Sequence, residues 1–123
     1  SWELNTGEVE DIIQVLIKNK FIDENRYAFA YVNDYFKLKK WGRNKIIRGL
    51  QSKNIEPKTI EKAIKSIDSE IYRQNLESAF KNKLNSLAKT EDLFSKKEKL
   101  KRHLLSRGYE LEIIIDLINL KYS

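Results

Sequence analysis

A stretch of this chain occurs twice, 54 residues apart, and both copies have the apolar spacing of a helix. Lys45–Ile55 laid over Lys99–Tyr109 pairs Lys45 with Lys99, Ile46 with Leu100, Arg48 with Arg102, and Leu50 with Leu104. Ser52 then meets Ser106, Lys53 meets Arg107, and Asn54 meets Gly108. Farther along, Ile60 and Ile64 fall on Ile114 and Ile118 at the same offset. One pairing differs in kind: Ile47 faces Lys101, so the second copy has a narrower apolar side. A period near 50 residues is what stacked helical units give, each covering its neighbour's apolar face.

The rest of the chain fills out that unit. Only four glycines and one proline punctuate 123 residues, so the elements between turns are long. Val9, Ile12, Ile13, Leu16 and Ile17 predict a first helix over Glu8–Asn19. Asp23 then reads as the N-cap of a second helix, with Ile22 stapled onto Tyr27. Ala28 and Ala30, set among aromatic residues, predict a close helix crossing, and Gly42 is read as the end of that helix. The basic helix of the first copy follows and closes at Asn54, a residue suited to the left-handed cap. Pro57 restarts the chain in the N1 slot. A long helix from Asp68 to about Ala88 comes next. A helix opened by the Ser95–Glu98 capping box then runs to Gly108, and an apolar helix spans Glu110 to about Leu120. The expected fold is all-α, with tandem three-helix units forming an elongated, curved array. Residues 1–22 form the last helix of a truncated first unit, 23–67 a second unit and 68–123 a third. The sequence contains no methionine, so Ser1 is read as lying downstream of a natural start.

Charge is divided unevenly. Tyr35–Ile55 holds seven Lys and Arg and no acid, while Ser95–Tyr109 holds six against Glu98 alone. The chain's net charge is +6, so the residues outside these windows are net acidic. Such polarity suits a polyanion or an acidic protein surface. On a helical wheel Ile46, Ile47 and Leu50 share one side of the first basic helix, and Lys45, Arg48 and Ser52 lie opposite.

Chemistry of the catalytic kind is not indicated. There is no cysteine and a single histidine, His103, which is read as a surface residue. Thiol catalysis, cysteine-ligated zinc and a Ser-His-Asp arrangement therefore lack their parts. The glycines at 42, 49 and 108 match no phosphate-loop spacing. Asp23-Glu24 and Glu91-Asp92 read as helix-start acids rather than as acid–base pairs. No enzyme, cofactor, metal or membrane span is expected, and the absence of cysteine fits a reducing cytoplasm.

Three blocks of this sequence resemble the RecX family, regulators of the RecA recombinase. They are "FIDENRYAFAYV" at 21–32, "WGRNKIIRGLQSKNI" at 41–55 and "LKRHLLSRGYELEIIIDLI" at 100–118. Asn54 stands where that family usually has Gly, and most of the first unit is missing. The resemblance implies a non-enzymatic, monomeric modulator that binds the groove of the RecA–DNA filament and restrains strand exchange, ATP hydrolysis and coprotease action. The residues expected to carry the contact are Arg43, Lys45, Arg48 and Lys53 of the first copy, with Lys97, Lys101, Arg102 and Arg107 of the second. A DNA binder acting without RecA is the competing reading. A helical scaffold with merely solvated charges is the third.

Overall fold

No Gly or Pro falls between Glu8 and Trp41, and the computed structural model, which describes residues 6–122, shows the result. Helix α1 runs Thr6–Lys37 as one continuous element. Asp23 is therefore an interior residue, not an N-cap, and the expected break after Asn19 does not exist. Residues 19–25 contain neither Gly nor Pro. Asn25, a residue that often interrupts helices, instead donates its side-chain amide to the Phe21 carbonyl one turn back, at 3.0 Å. The expected boundary between the first and second units falls inside this helix, and residues 1–5 of that first unit lie outside the described residues.

The helix also stops earlier than Gly42. The chain leaves α1 through Lys40, which adopts a positive φ of 55°, and Gly42 becomes the extended N-cap of α2 (Arg43–Ser52). Asn54 closes α2 at φ 60°, as its cap chemistry predicts. Pro57 opens α3 (Pro57–Lys65). Asp68 caps α4 (Ser69–Ser86), accepting from the Glu70 and Ile71 N–H groups at 2.9 and 3.0 Å. In α5 (Leu93–Ser106) the cap is Asp92, which accepts from the Ser95 N–H at 2.7 Å. Ser95 is thus the capped residue rather than the cap. Helix α6 spans Leu111–Tyr122. Among the described residues there is no strand, and no helix is long and apolar enough to cross a membrane.

Packing follows two groups. Helix α1 lies against α2 and α3, which touch each other, and α5 lies against α4 and α6. The first group buries Ala28, Val32 and Phe36 from the second half of α1 with Ile46, Leu50, Ile60 and Ala63. The second group buries Tyr72, Leu76, Phe80, Leu100, Leu104 and Ile114. One apolar core runs through both. Of the two alanines expected at a helix crossing, Ala28 is fully buried and Ala30 is exposed. Before residue 23, α1 carries Ile12, Ile13, Leu16, Ile17 and Ile22, each at least 44% exposed.

The two groups meet at backbone level. The Gly42 N–H donates to the Arg107 carbonyl at 2.8 Å, and the Asn44 N–H donates to the Gly108 carbonyl at 2.9 Å. A Cβ on Gly42 would collide with the Gly108 carbonyl carbon and the Tyr109 nitrogen. Gly108 itself sits at φ 99°. Both atoms crowding Gly42 are main chain, so neither can rotate away. Gly42→Ala is therefore expected to destabilise the protein by about 2 kcal/mol or more, read as a lower urea midpoint.

Candidate interaction surface

Basic side chains from both copies gather around the joint between the groups, and several are consumed there. Arg43 Nη1 donates to Glu110 Oε2 at 2.9 Å, and its guanidinium lies 3.9 Å from the centre of the Tyr72 ring. The Arg43 backbone N–H donates to the Tyr72 hydroxyl at 2.9 Å, and that hydroxyl donates to Glu110 Oε1. Cation, phenol and carboxylate form a closed ring linking α2, α4 and the start of α6. Both charges are about 70% covered, so the pairing is screened less than a surface bridge. Arg107 donates to the Lys39 carbonyl, and Tyr109, fully buried, donates its hydroxyl to the Lys40 carbonyl at 2.7 Å. The turn after α5 is thereby bolted to the turn after α1.

The other expected contact residues divide. Lys45 places its ammonium 4.3 Å from the Trp41 ring centre, and Lys97 lies 5.7 Å from that of Tyr122. Lys101 pairs with Glu98 at 3.2 Å. Lys53 is exposed but lines a separate groove with Asp23 and Glu24 of α1. Arg48 and Arg102, which are equivalent in the repeat, are exposed and make no ion pair among the described residues. Arg48 borders an open slot of about 470 Å³ that is also lined by Asn44, Ile47, Leu105 and Tyr109. Among the described residues no carboxylate lines it. The structure thus brings Arg43, Lys45, Arg48 and Arg107 to one region, while Lys53 and Lys97 face other surroundings.

Tyr72, Glu110 and Leu105 belong to this region and were not singled out by the sequence. One signal existed for Glu110: at the repeat offset it falls on Glu56, the N-cap of α3. Nothing local marks Tyr72 as its partner, because the two meet only when the groups dock.

Burial pushes the Tyr72 phenol far above its ordinary value, and donation to Glu110 adds to the shift. Burial also pushes Tyr109 up to about 12, with Arg107 opposing and Glu110 reinforcing. His103, half-buried rather than fully at the surface, is lowered by burial and then by Lys83 and Arg107. Among the described residues no cluster of His, Cys, Asp and Glu could hold a metal ion.

Residues 23–64 match the family described as RecX, second three-helix domain. They run from the second half of α1 to the end of α3. The chain is also similar to curated proteins named Regulatory protein RecX. That of Clostridium botulinum (strain Eklund 17B) is 40% identical over 107 residues, covering 86% of this chain and 50% of the relative. That of Clostridium acetobutylicum is 32% identical over 124 residues, covering 98% and 57%. That of Bacillus licheniformis is 28% identical over 108 residues, covering 86% and 40%. The chain spans about half the length of these relatives. No solved structure gives a significant match.

The two buried phenols make stability depend on alkaline pH. Their raised folded values mean that the folded state holds protons which the unfolded chain releases near pH 10. Their contribution is complete below pH 10 and is lost as pH rises past it. For Tyr109, moved to about 12, the loss approaches about 2 kcal/mol near pH 12. Urea midpoints measured from pH 8 to 11.5 are expected to fall above pH 10, and to fall less steeply in Tyr109→Phe.

Proposed function

This chain belongs to the RecX family, and from that premise we propose that it is a regulatory protein that binds the RecA–DNA filament. Its action there is to restrain recombinase, ATPase and coprotease activity as a cytoplasmic, non-catalytic ligand of the filament. The observation that carries this reading is the pair Arg48 and Arg102. They are repeat-equivalent, exposed and without carboxylate partners among the described residues, although acids elsewhere in the chain engage Arg43, Lys99 and Lys101. An unpaired arginine presents a planar fork of donors that fits phosphate or carboxylate bidentately. The tandem three-helix units would hold two such forks on a fixed frame.

Binding to DNA without RecA is the second reading, supported by the acid-poor helix. It predicts non-specific affinity that falls by about 0.9 log units per phosphate contact for each log unit of salt. The two are separated by co-sedimentation with RecA filaments on single-stranded DNA, scored together with ATPase rate and with binding to naked DNA.

The double reversal Arg48→Glu with Arg102→Glu is expected to lower filament binding and ATPase inhibition at least about tenfold, one decade being ~1.4 kcal/mol. Stability should stay within about 0.5 kcal/mol, as for exposed substitutions. Arg43→Glu should instead unfold the joint, because it leaves Glu110 facing a like charge. Full inhibition by the double variant would remove these arginines from the mechanism.

A further inference from the structure

We propose that the slot between α2 and α5 receives an aliphatic side chain from an acidic segment of a partner protein, with Arg48 holding the neighbouring carboxylate. This rests on the filament-binding reading and says which component of the filament meets the slot: its protein rather than its nucleic acid.

The floor of the slot is apolar. Ile47 of α2 is half-buried at its side, and Leu105 of α5 is 37% exposed beside it. Covering those two side chains releases water from apolar surface, which is favourable only if the incoming group is itself apolar. A sugar–phosphate backbone has nothing of that kind to insert. A nucleobase would want an exposed aromatic face. The aromatic residue lining the slot is Tyr109, whose side chain is fully buried and whose hydroxyl is committed to the Lys40 carbonyl.

Phosphate is disfavoured for a second reason. Helix N-termini bind phosphate through free N–H groups, and α2 begins at the edge of this slot. Its first donors are already spent: Gly42 N–H on Arg107, Arg43 N–H on the Tyr72 hydroxyl and Asn44 N–H on Gly108. An anion at this place is therefore recognised by side chains alone, chiefly Arg48. An aliphatic pocket with a cationic rim and no lining acid among the described residues matches the anatomy of a protein interface, where a packed apolar centre is ringed by charge. The complementary ligand is an aliphatic residue flanked by Asp or Glu. The joint between Gly42 and Gly108 fixes the α2 wall against the α5 wall, so the slot is preformed.

The test compares Leu105→Gln, which keeps helix propensity and net charge, with the Arg48→Glu/Arg102→Glu protein. Both are titrated against RecA filaments on single-stranded DNA and against the same naked oligonucleotide. Leu105→Ala serves as the second variant should Gln alter the melting temperature. A roughly tenfold loss of filament affinity in Leu105→Gln, with naked-DNA affinity unchanged, is the expected result. Filament affinity within twofold of the parent, while the charge reversal still weakens it, overturns the slot and leaves the filament reading standing. Equal losses on filament and naked DNA overturn the proposal by making the slot a nucleic-acid contact. If only Leu105→Gln weakens filament binding, the apolar slot stands but Arg48's hold on a carboxylate is overturned along with the charge reading; if neither variant does, both fail.

Discussion

Three N–H groups at the opening of α2 are satisfied from outside their own helix: two by the carbonyls that end α5 and one by the phenol of α4. The first turn of any helix leaves such donors without partners, and burying them unpaired is costly. Here the cost is avoided by docking one three-helix group onto the other. The docking needs main chain against main chain, which side chains at positions 42 and 108 would forbid. Once that contact is made, the Arg43–Glu110–Tyr72 ring closes around it. Tyr109 enters the core, and α2 and α5 acquire a fixed separation. The apolar core running through both groups depends on this alignment.

The same joint sorts the basic residues. Arginines near it are structural, with Arg43 neutralised by Glu110 and Arg107 spent on a carbonyl. Lys45 rests on an indole ring, where the attraction is worth about 0.5 to 1 kcal/mol. Farther from the joint, Lys99 and Lys101 pair with Glu91 and Glu98 on the surface, while Arg48 and Arg102 make no ion pair among the described residues. The acid-poor composition of the two windows therefore mixes two roles, one that holds the fold together and one that faces outward.

Much of this was legible locally. Apolar spacing located α2, α3, α4 and α6, and the chemistry of Asn54 and Pro57 placed the end of α2 and the start of α3 to within a residue or two. Local signals failed where a longer-range balance decided. Asp23 has the side chain of a cap, but neither Gly nor Pro stands near it to stop the helix, so α1 runs straight through. Asp92, three residues upstream, caps the helix instead, and the N–H it accepts from is that of Ser95 itself. For the surface, the helical wheel separated the charged side of α2 from its core side correctly, yet it could not say that Arg43 would be consumed. That outcome depends on Glu110 and Tyr72, which are 67 and 29 residues away and arrive only through docking. Leu105 was invisible for a similar reason: its significance lies in what faces it across the slot.

Asn54 and Gly108 occupy the same station in the repeat, and both are left-handed, yet they live under different rules. A Cβ at 108 would press on the Lys45 side chain and lie 2.7 Å from the Lys45 nitrogen. Position 54 is open to solvent, where asparagine accommodates the left-handed turn at modest cost. Two turns built from one template have thus been given unequal latitude. The outer one can exchange residues at little expense, whereas the inner one works as a keystone whose smallness is required twice, by its neighbour and by its own φ of 99°.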